Sequence, residues 1–262
     1  GKTGTMLPLE RFRLDGRTAL VTGASSGIGA ALALALAQSG ATVIAAARRI
    51  DRLQAVVTDI VAAGGQAHAV ELDVTDSESI RAAFDRAEQL ADTVSILINN
   101  AGVAEPSRFM STDAASRDKV MATNFEGVWD LTQEAARRLL AAKRPGSIVN
   151  IASILGLGAG VGYASYAASK AAVIQLTRVL ALELGRSGIR VNSIAPGWFV
   201  TEMNDEFFAS DAGKALAKRS PSGRTGELHE LVGPVLLLAS DAGSYINGVV
   251  LPVDGAHTVA LV

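Results

Sequence analysis

Between residues 163 and 170 the chain reads YASYAASK, two phenols and one ammonium group within eight positions. At 3.6 residues per turn, Tyr163, Tyr166 and Lys170 stand at i, i+3 and i+7 and share one helical face. A phenol beside an ammonium group is suited to proton transfer. The positive neighbour favours the phenolate, which an isolated tyrosine with a pKa of about 10 seldom forms at pH 7. Packing alone would also put aromatic residues at this spacing, and the octet does not say which tyrosine would carry a proton.

Such groups need a scaffold, and the chain supplies one by alternation. Short apolar runs recur at TALVT (18–22), ATVIAAA (41–47), QAHAVEL (66–72), VSILIN (94–99), GSIVNIA (146–152), IRVNSIA (189–195) and NGVVLPV (247–253), with longer helical stretches between them. This is the pattern of a parallel sheet built from βαβ units. Runs such as SILI and SIVNI are apolar nearly throughout, as expected when helices cover both faces of the sheet. The window DSESIRAAFDRAEQLA (76–91) predicts a helix with Asp76 as its N-cap. One segment breaks the rhythm: residues 198–226 carry Trp198, Phe199, Met203, Phe207 and Phe208 among polar and basic residues, which predicts a cover over a pocket.

The first turn has its own chemistry. Gly23, Gly27 and Gly29 follow the first strand and open a helix, so the backbone can approach a pyrophosphate at the free N–H groups of the helix N-terminus. The same letters, Gly23 to Gly27, also spell the G-x-S-x-G of a hydrolase elbow, with Ser25 as nucleophile and His257 downstream of Asp241 and Asp254. Against that alternative, the turn follows the very first strand and no oxyanion-hole stretch precedes it. The second strand ends AAARR, so Ala47 occupies the position where NAD sites carry an acidic residue. Arg48 and Arg49 follow and suit a 2′-phosphate, which predicts NADP in preference to NAD.

Composition narrows the remaining classes. A chain of 262 residues, 49% of them hydrophobic, has enough apolar material for one large domain, here residues 6–262. Its formal net charge of −2, without a run of Lys or Arg, predicts neither a nucleic-acid nor a membrane partner. The absence of cysteine removes disulfides, thiol nucleophiles and Cys-ligated metals, and three scattered histidines make no metal motif. The apolar run ALALALA (31–37) is too short to span a bilayer, and no signal peptide is evident, so a cytoplasmic protein is expected. The GKTGT before Met6 looks like a leftover of an expression vector.

With the glycine loop, NNAG (99–102), Ser153, and Tyr166 followed four residues later by Lys170, the sequence resembles the short-chain dehydrogenase/reductase family. The likeness is to single-domain members such as 3-oxoacyl carrier-protein reductases and related carbonyl reductases. It runs from Leu14 to the C-terminus through TGASSGIG (22–29), LDV (72–74), NNAG, TNFEG (123–127), IAS (151–153), YAASK (166–170) and PGWFVT (196–201). The resemblance implies a doubly wound Rossmann-type α/β fold, with about seven parallel strands and helices on both faces. It also implies a catalytic tetrad of Asn124, Ser153, Tyr166 and Lys170. For the cofactor it implies Gly23, Ser25, Ser26, Gly27, Ile28 and Gly29 at the phosphates, and Asp73 and Val74 at the adenine. Asn100, Ala101 and Gly102 would meet the ribose, Tyr166 and Lys170 would also touch the cofactor, and Pro196, Gly197, Val200 and Thr201 would lie near the nicotinamide.

The activity so implied is hydride transfer between NADP(H) and a ketone or secondary alcohol. Reduction puts negative charge on the carbonyl oxygen, so a proton donor and hydrogen-bond donors must meet it. In this assignment Tyr166 is the acid/base, Ser153 binds the substrate oxygen, Lys170 lowers the phenol pKa, and Asn124 supports a water chain. Tyr163 joins Ser153, Leu155, Trp198, Met203 and Phe207 in the substrate pocket. Lys214, Lys218, Arg219 and Arg224 are expected to be solvated surface charge, the alternative being that they guide an anionic or carrier-bound substrate. Family members commonly form tetramers, which implies a homotetramer packed through residues of about 113–143 and 164–185, with the tail VALV (259–262) at a further interface.

Overall fold

The computed structural model of the protein describes residues 7–202 and 204–260. GKTGT, Met203 and the last two residues of VALV lie outside the described residues. In chain order the main elements are β1 (Thr18–Thr22), α1 (Gly27–Gln38), β2 (Thr42–Ala47), α2 (Ile50–Ala62), β3 (Gln66–Glu71) and α3 (Ser77–Leu90). Then come β4 (Val94–Asn99), α4 (Ala114–Met121), α5 (Gly127–Ala142), β5 (Gly146–Ile151), α6 (Ala164–Leu184) and β6 (Ile189–Pro196). The chain closes with α7 (Asp205–Ala209), α8 (Asp211–Lys218), α9 (Val232–Ala239) and β7 (Val250–Val253).

The strands form one parallel sheet in the order β3-β2-β1-β4-β5-β6-β7. Two cores explain why its strands are apolar on both sides. Leu20 on β1 packs with Ile44, Leu97 and Ile148 on one face, while its neighbour Val21 packs with Val43, Ile98 and Val149 on the other. Leu20, Ile44, Leu97 and Ile148 are essentially inaccessible to solvent, and such burial stabilises by about 1.5–3 kcal/mol per side chain.

Helix starts follow local chemistry. The Asp76 carboxylate accepts a hydrogen bond from Glu78 N at 2.9 Å and caps α3 as its sequence predicts. Strand β7 begins later than the expected 247, because the Asn247 side chain takes the place of strand backbone: its Oδ1 accepts from Val191 N at 2.9 Å. The irregular segment after β6 contains two short helices, and Ser210 caps the second by accepting from Gly213 N at 3.2 Å. Among the described residues, no helix is long and apolar enough to cross a membrane.

The strand order reverses between β1 and β4, since the chain grows outward from β1 to β3 and then restarts on the other side. Open α/β sheets bind ligands outside the carboxyl ends of their strands at such a point. The glycine turn after β1 and the NNAG segment after β4 flank it.

Candidate active site

A cleft of about 520 Å³ opens at this switch point, within the 300–1,000 Å³ usual for small-molecule sites. It is lined by the turn residues Gly23, Ser25, Ser26, Gly27 and Ile28, by Arg48 and Arg49 after β2, by Asp73 and Val74 after β3, and by Asn100, Ala101 and Gly102 after β4. Residues remote in sequence are thereby gathered along one surface.

The turn itself demands glycine. Gly23 has φ +63°, and a Cβ on Gly29 would stand 2.2 Å from the Gly23 carbonyl oxygen. The NNAG segment braces the turn from the side: Asn100 Nδ2 donates to Thr22 O at 3.1 Å and to Gly23 O at 3.3 Å. Thr22 Oγ1 accepts from the backbone N–H groups of Asn100 and Ala101 at 3.0 and 2.9 Å. Thr22 is therefore a positioning residue that sequence reasoning passed over, although it opens the quoted TGASSGIG motif. Ser26, the N-cap of α1, makes no side-chain cap bond, which leaves the first helical N–H groups to an anion.

Charge in the cleft follows the same line. Arg48 and Arg49 are exposed on its wall, and Arg49 reaches Ser25 Oγ at 3.4 Å. The Asp73 carboxylate is held below its ordinary range by hydrogen bonds from the Thr75 hydroxyl and backbone N–H, with Arg48 adding to the effect. These features fit an adenine dinucleotide with an extra phosphate: a turn without side chains, a helix N-terminus and two guanidinium groups.

Two of the four expected catalytic residues, Asn124 and Lys170, stand beside Gly102. A Cβ at that glycine would lie 3.4 Å from Asn124 Oδ1 and 3.5 Å from Lys170 Nζ, so both side chains back the cleft wall. Asn124 is completely buried in a π-turn, Ala122–Glu126, between α4 and α5. Its amide is fully engaged: Oδ1 accepts from Val103 N at 2.8 Å, and Nδ2 donates to Val103 O at 2.9 Å and Ser169 Oγ at 3.2 Å. The side chain thus clamps the strand-β4 loop to α6.

Ser153 follows β5, where its Oγ accepts from Leu155 N at 3.1 Å and begins a single 3₁₀ turn. Gly156 in that turn lies against α6, since a Cβ there would come 2.8 Å from the Lys170 carbonyl carbon. Tyr166 and Lys170 occupy the first two turns of α6, one turn apart on one face. Lys170 is buried and donates from Nζ to Ile151 O at 2.8 Å, with Nζ 5.6 Å from the centre of the Tyr166 ring. Burial drives its pKa down from 10.5 to about 8.

The expected lowering of the phenol pKa is not found in the chain alone. Burial raises Tyr166 above its ordinary 10.0, the Ser153 hydroxyl acts in the lowering direction, and Tyr163 adds to the rise. Desolvation of the phenol outweighs the Ser153 hydrogen bond, and the Lys170 ammonium stands 5.6 Å from the ring centre. Tyr163 is the residue before α6 and lies 6.3 Å from Tyr166, ring to ring. Leu155 and Tyr163 both crowd Gly160, whose added Cβ would lie 2.9 Å from the Leu155 side chain and 3.4 Å from the Tyr163 ring.

Thr201 lines the cleft next to Gly27, whereas Pro196, Gly197 and Val200 do not line it. Gly197 N instead donates to Val253 O at 2.9 Å and holds β6 to β7. Trp198 and Phe208 approach at 6.3 Å, and Phe207 packs on Phe208 at 5.2 Å while remaining half exposed. Trp198 lines a separate cavity of about 100 Å³ with Ser220, Arg224, Asp254 and His257. Arg224 is not free to guide a substrate, because it forms a double hydrogen bond to Glu230 at 2.7 Å.

The elbow reading of residues 23–27 finds no triad. Asp241 accepts from Arg17 at 2.6 Å, and Asp254 accepts from Ala256 N, Thr258 N and Thr258 Oγ1. Ser25 lines the large cleft and His257 the small one.

Comparison with known proteins agrees with this geometry. The family model described as enoyl-(acyl carrier protein) reductase matches residues 23–258. The gluconate 5-dehydrogenase of Gluconobacter oxydans is 40% identical over 251 residues, covering 95% of this chain and 98% of that protein. The 3-oxoacyl-[acyl-carrier-protein] reductase of Thermotoga maritima is 37% identical over 248 residues, covering 95% and 100%. The crystal structure of a gluconate 5-dehydrogenase from Burkholderia cenocepacia, in complex with NADP and tartrate, superposes with a TM-score of 0.92 at 37% identity, covering 97% of this chain and 99% of that one. Sheet order, glycine turn and overall likeness converge, and the chain belongs to the short-chain dehydrogenase/reductase family of oxidoreductases.

Proposed function

We propose that the protein transfers hydride between NADP(H) and a ketone or secondary alcohol, with Tyr166 as the general acid/base and carbonyl reduction as the working direction. The observation that carries this reading is the meeting of Ser153, Tyr166, Lys170 and Asn124 beside a cleft walled by Arg48 and Arg49. Bound nicotinamide supplies the hydride. The chain's part is to hold the ketone oxygen and deliver a proton to it.

Ser153 Oγ and the Tyr166 hydroxyl converge on that oxygen, one as hydrogen-bond donor and the other as proton source. A phenol raised by burial keeps its proton at pH 7, which suits the reductive direction. Lys170 spends one N–H on Ile151 O, and its remaining donors serve the ribose and the return of a proton to Tyr166. Asn124 holds residue 103 against α6 and supports the water chain through its π-turn. Preference for NADP rests on Arg48 and Arg49 where an acidic residue would otherwise meet the ribose.

Trp198, Phe207 and Leu155 make an apolar surround, with residues 198–226 as the lid. Tyr163 borders the ketone, whose class follows the relatives: a hydroxylated ketone, or alternatively a 3-oxoacyl thioester as in the carrier-protein reductases. We place the protein in the cytoplasm as a homotetramer, without nucleic-acid or membrane partners. The half-exposed Trp129 on α5 and the largely exposed Leu182 on α6 support packing through that helix pair.

A panel of hydroxylated ketones and 3-oxoacyl thioesters, assayed with NADPH and NADH, tests the reading. In that assay Tyr166→Phe lowers kcat by about 10³-fold, the range of general acid–base catalysis. NADPH binding, followed by its fluorescence, persists in the variant. Retained turnover by Tyr166→Phe would refute the assignment.

A further inference from the structure

Four buried polar side chains that the proposed chemistry does not use are bonded in a row. Asn99 Nδ2 donates to Thr132 Oγ1 at 3.0 Å and to Asn150 Oδ1 at 2.8 Å, and Asn150 Nδ2 donates to Thr177 Oγ1 at 3.0 Å. Thr177 in turn donates to Val173 O at 2.8 Å, so it is the hydroxyl lone pairs that face Asn150. None of the four is more than 2% exposed.

Their addresses matter more than their number. Asn99 ends β4, just before the residues that brace the glycine turn, and Thr132 lies on α5, which continues from the π-turn of Asn124. Asn150 lies on β5 next to Ile151 and three residues before Ser153, and Thr177 lies on α6 two turns beyond Lys170. The row therefore joins the elements that carry the tetrad.

Helix α6 and strand β5 meet at two adjacent strand positions. Lys170 Nζ bonds Ile151 O, and Asn150 Nδ2 bonds Thr177 Oγ1. The two helix residues are seven apart on one face, so sliding the helix by one residue, about 1.5 Å with a turn of about 100°, breaks both bonds. Apolar side chains of the same size would fill the space without this directionality, because hydrogen bonds to a buried amide accept one geometry.

We infer that Thr177, acting through Asn150, is a positioning residue that seats α6 so that Tyr166 stands at Ser153. The inference rests on the reading of Tyr166 as acid/base, and its test separates the two. In the full-length protein, Thr177→Val keeps the shape and removes the acceptor, Thr177→Ser keeps the hydroxyl, and Ser147→Ala serves as control. Ser147 is as deeply buried on the same strand but bonds Leu238 O at 2.7 Å, away from the tetrad.

Thr177→Val is expected to lower kcat about ten- to a hundredfold with the NADPH KM changed less than about twofold, the scale on which small misplacements act. Hydrogen exchange across residues 164–172 rises in the same variant. Thr177→Ser restores both readouts, and Ser147→Ala loses thermal stability without moving either. If Thr177→Val does not accumulate folded, Thr132→Val opens the row from α5 and shows the same kcat loss. Unchanged kcat and exchange in the folded valine variant, or an equal kcat loss in Ser147→Ala, would overturn the inference. Wild-type protein without any turnover would count against the proposed reaction, while the exchange comparison still decides how α6 is seated.

Discussion

Lys170 is where the proposed chemistry and the stability of the fold oppose each other. Its ammonium is buried with a single hydrogen bond to Ile151 O, and its pKa falls from 10.5 to about 8. Each pKa unit corresponds to about 1.4 kcal/mol, so the charged form destabilises the folded chain by about 3 kcal/mol at pH 7. Replacing it by methionine removes that cost and loses one hydrogen bond of about 1 kcal/mol. Lys170→Met is therefore expected to be about 2 kcal/mol more stable at pH 7 and inactive, the trade common at sites that carry function.

The pH dependence has a definite sign. Below pH 8 the folded and unfolded chains both hold the proton, and the whole cost stands. Between about 8 and 10.5 the unfolded chain retains a proton that the folded chain has released, so wild-type stability rises with pH. The advantage of the variant shrinks to about zero near pH 10 as a result. Urea unfolding, followed by tryptophan fluorescence without cofactor at one fixed protein concentration, measures both points. A variant less stable than wild type at pH 7, or an advantage as large at pH 10, would refute the reasoning.

Two further outcomes test the cofactor cleft. Arg48→Ala is expected to raise the KM for NADPH about tenfold or more, the worth of one hydrogen bond to a charged group, and to leave NADH within about twofold. An unchanged preference in steady-state kinetics would remove the basis for NADP. Gly29→Ala puts a Cβ 2.2 Å from the Gly23 carbonyl, so the turn must shift. A loss of about 1–3 kcal/mol in stability is expected together with weaker NADPH binding, and a variant with wild-type melting and wild-type NADPH affinity would contradict that packing.

Much of the scaffold was legible because period and composition agree with burial. The runs at 18–22 and 94–99 are strands with those bounds, since both faces of the sheet are covered and most positions are apolar. Side-chain substitution for backbone was not legible, as when Asn247 delayed β7. Nor was the π-turn around Asn124, which has no distinct composition, or the two short helices after β6, whose caps at Asn204 and Ser210 are ordinary polar residues. At the site, residue types pointed to a tyrosine near Lys170, and only the family resemblance singled out Tyr166 over Tyr163. The direction of the phenol's pKa did not follow from them, because desolvation depends on neighbours that spacing does not reveal. The pairing of Arg224 with Glu230 was hidden for the same reason.

The brace on the glycine turn also constrains how the molecule assembles. Thr22 waits for partners at Asn100 and Ala101, which arrive more than 70 residues later in the chain and only when β4 pairs with β1. The segment from β1 to β3 contains the whole phosphate turn and some of its bonds, such as Ala24 N to Ala46 O at 3.2 Å, but not Asn100 and Ala101, which brace it from the side. Closing so long a loop is entropically slow compared with forming the local βα units. The brace on the glycine turn is thus a property of the completed switch between β1 and β4, and cofactor affinity is expected to appear only once that switch has formed.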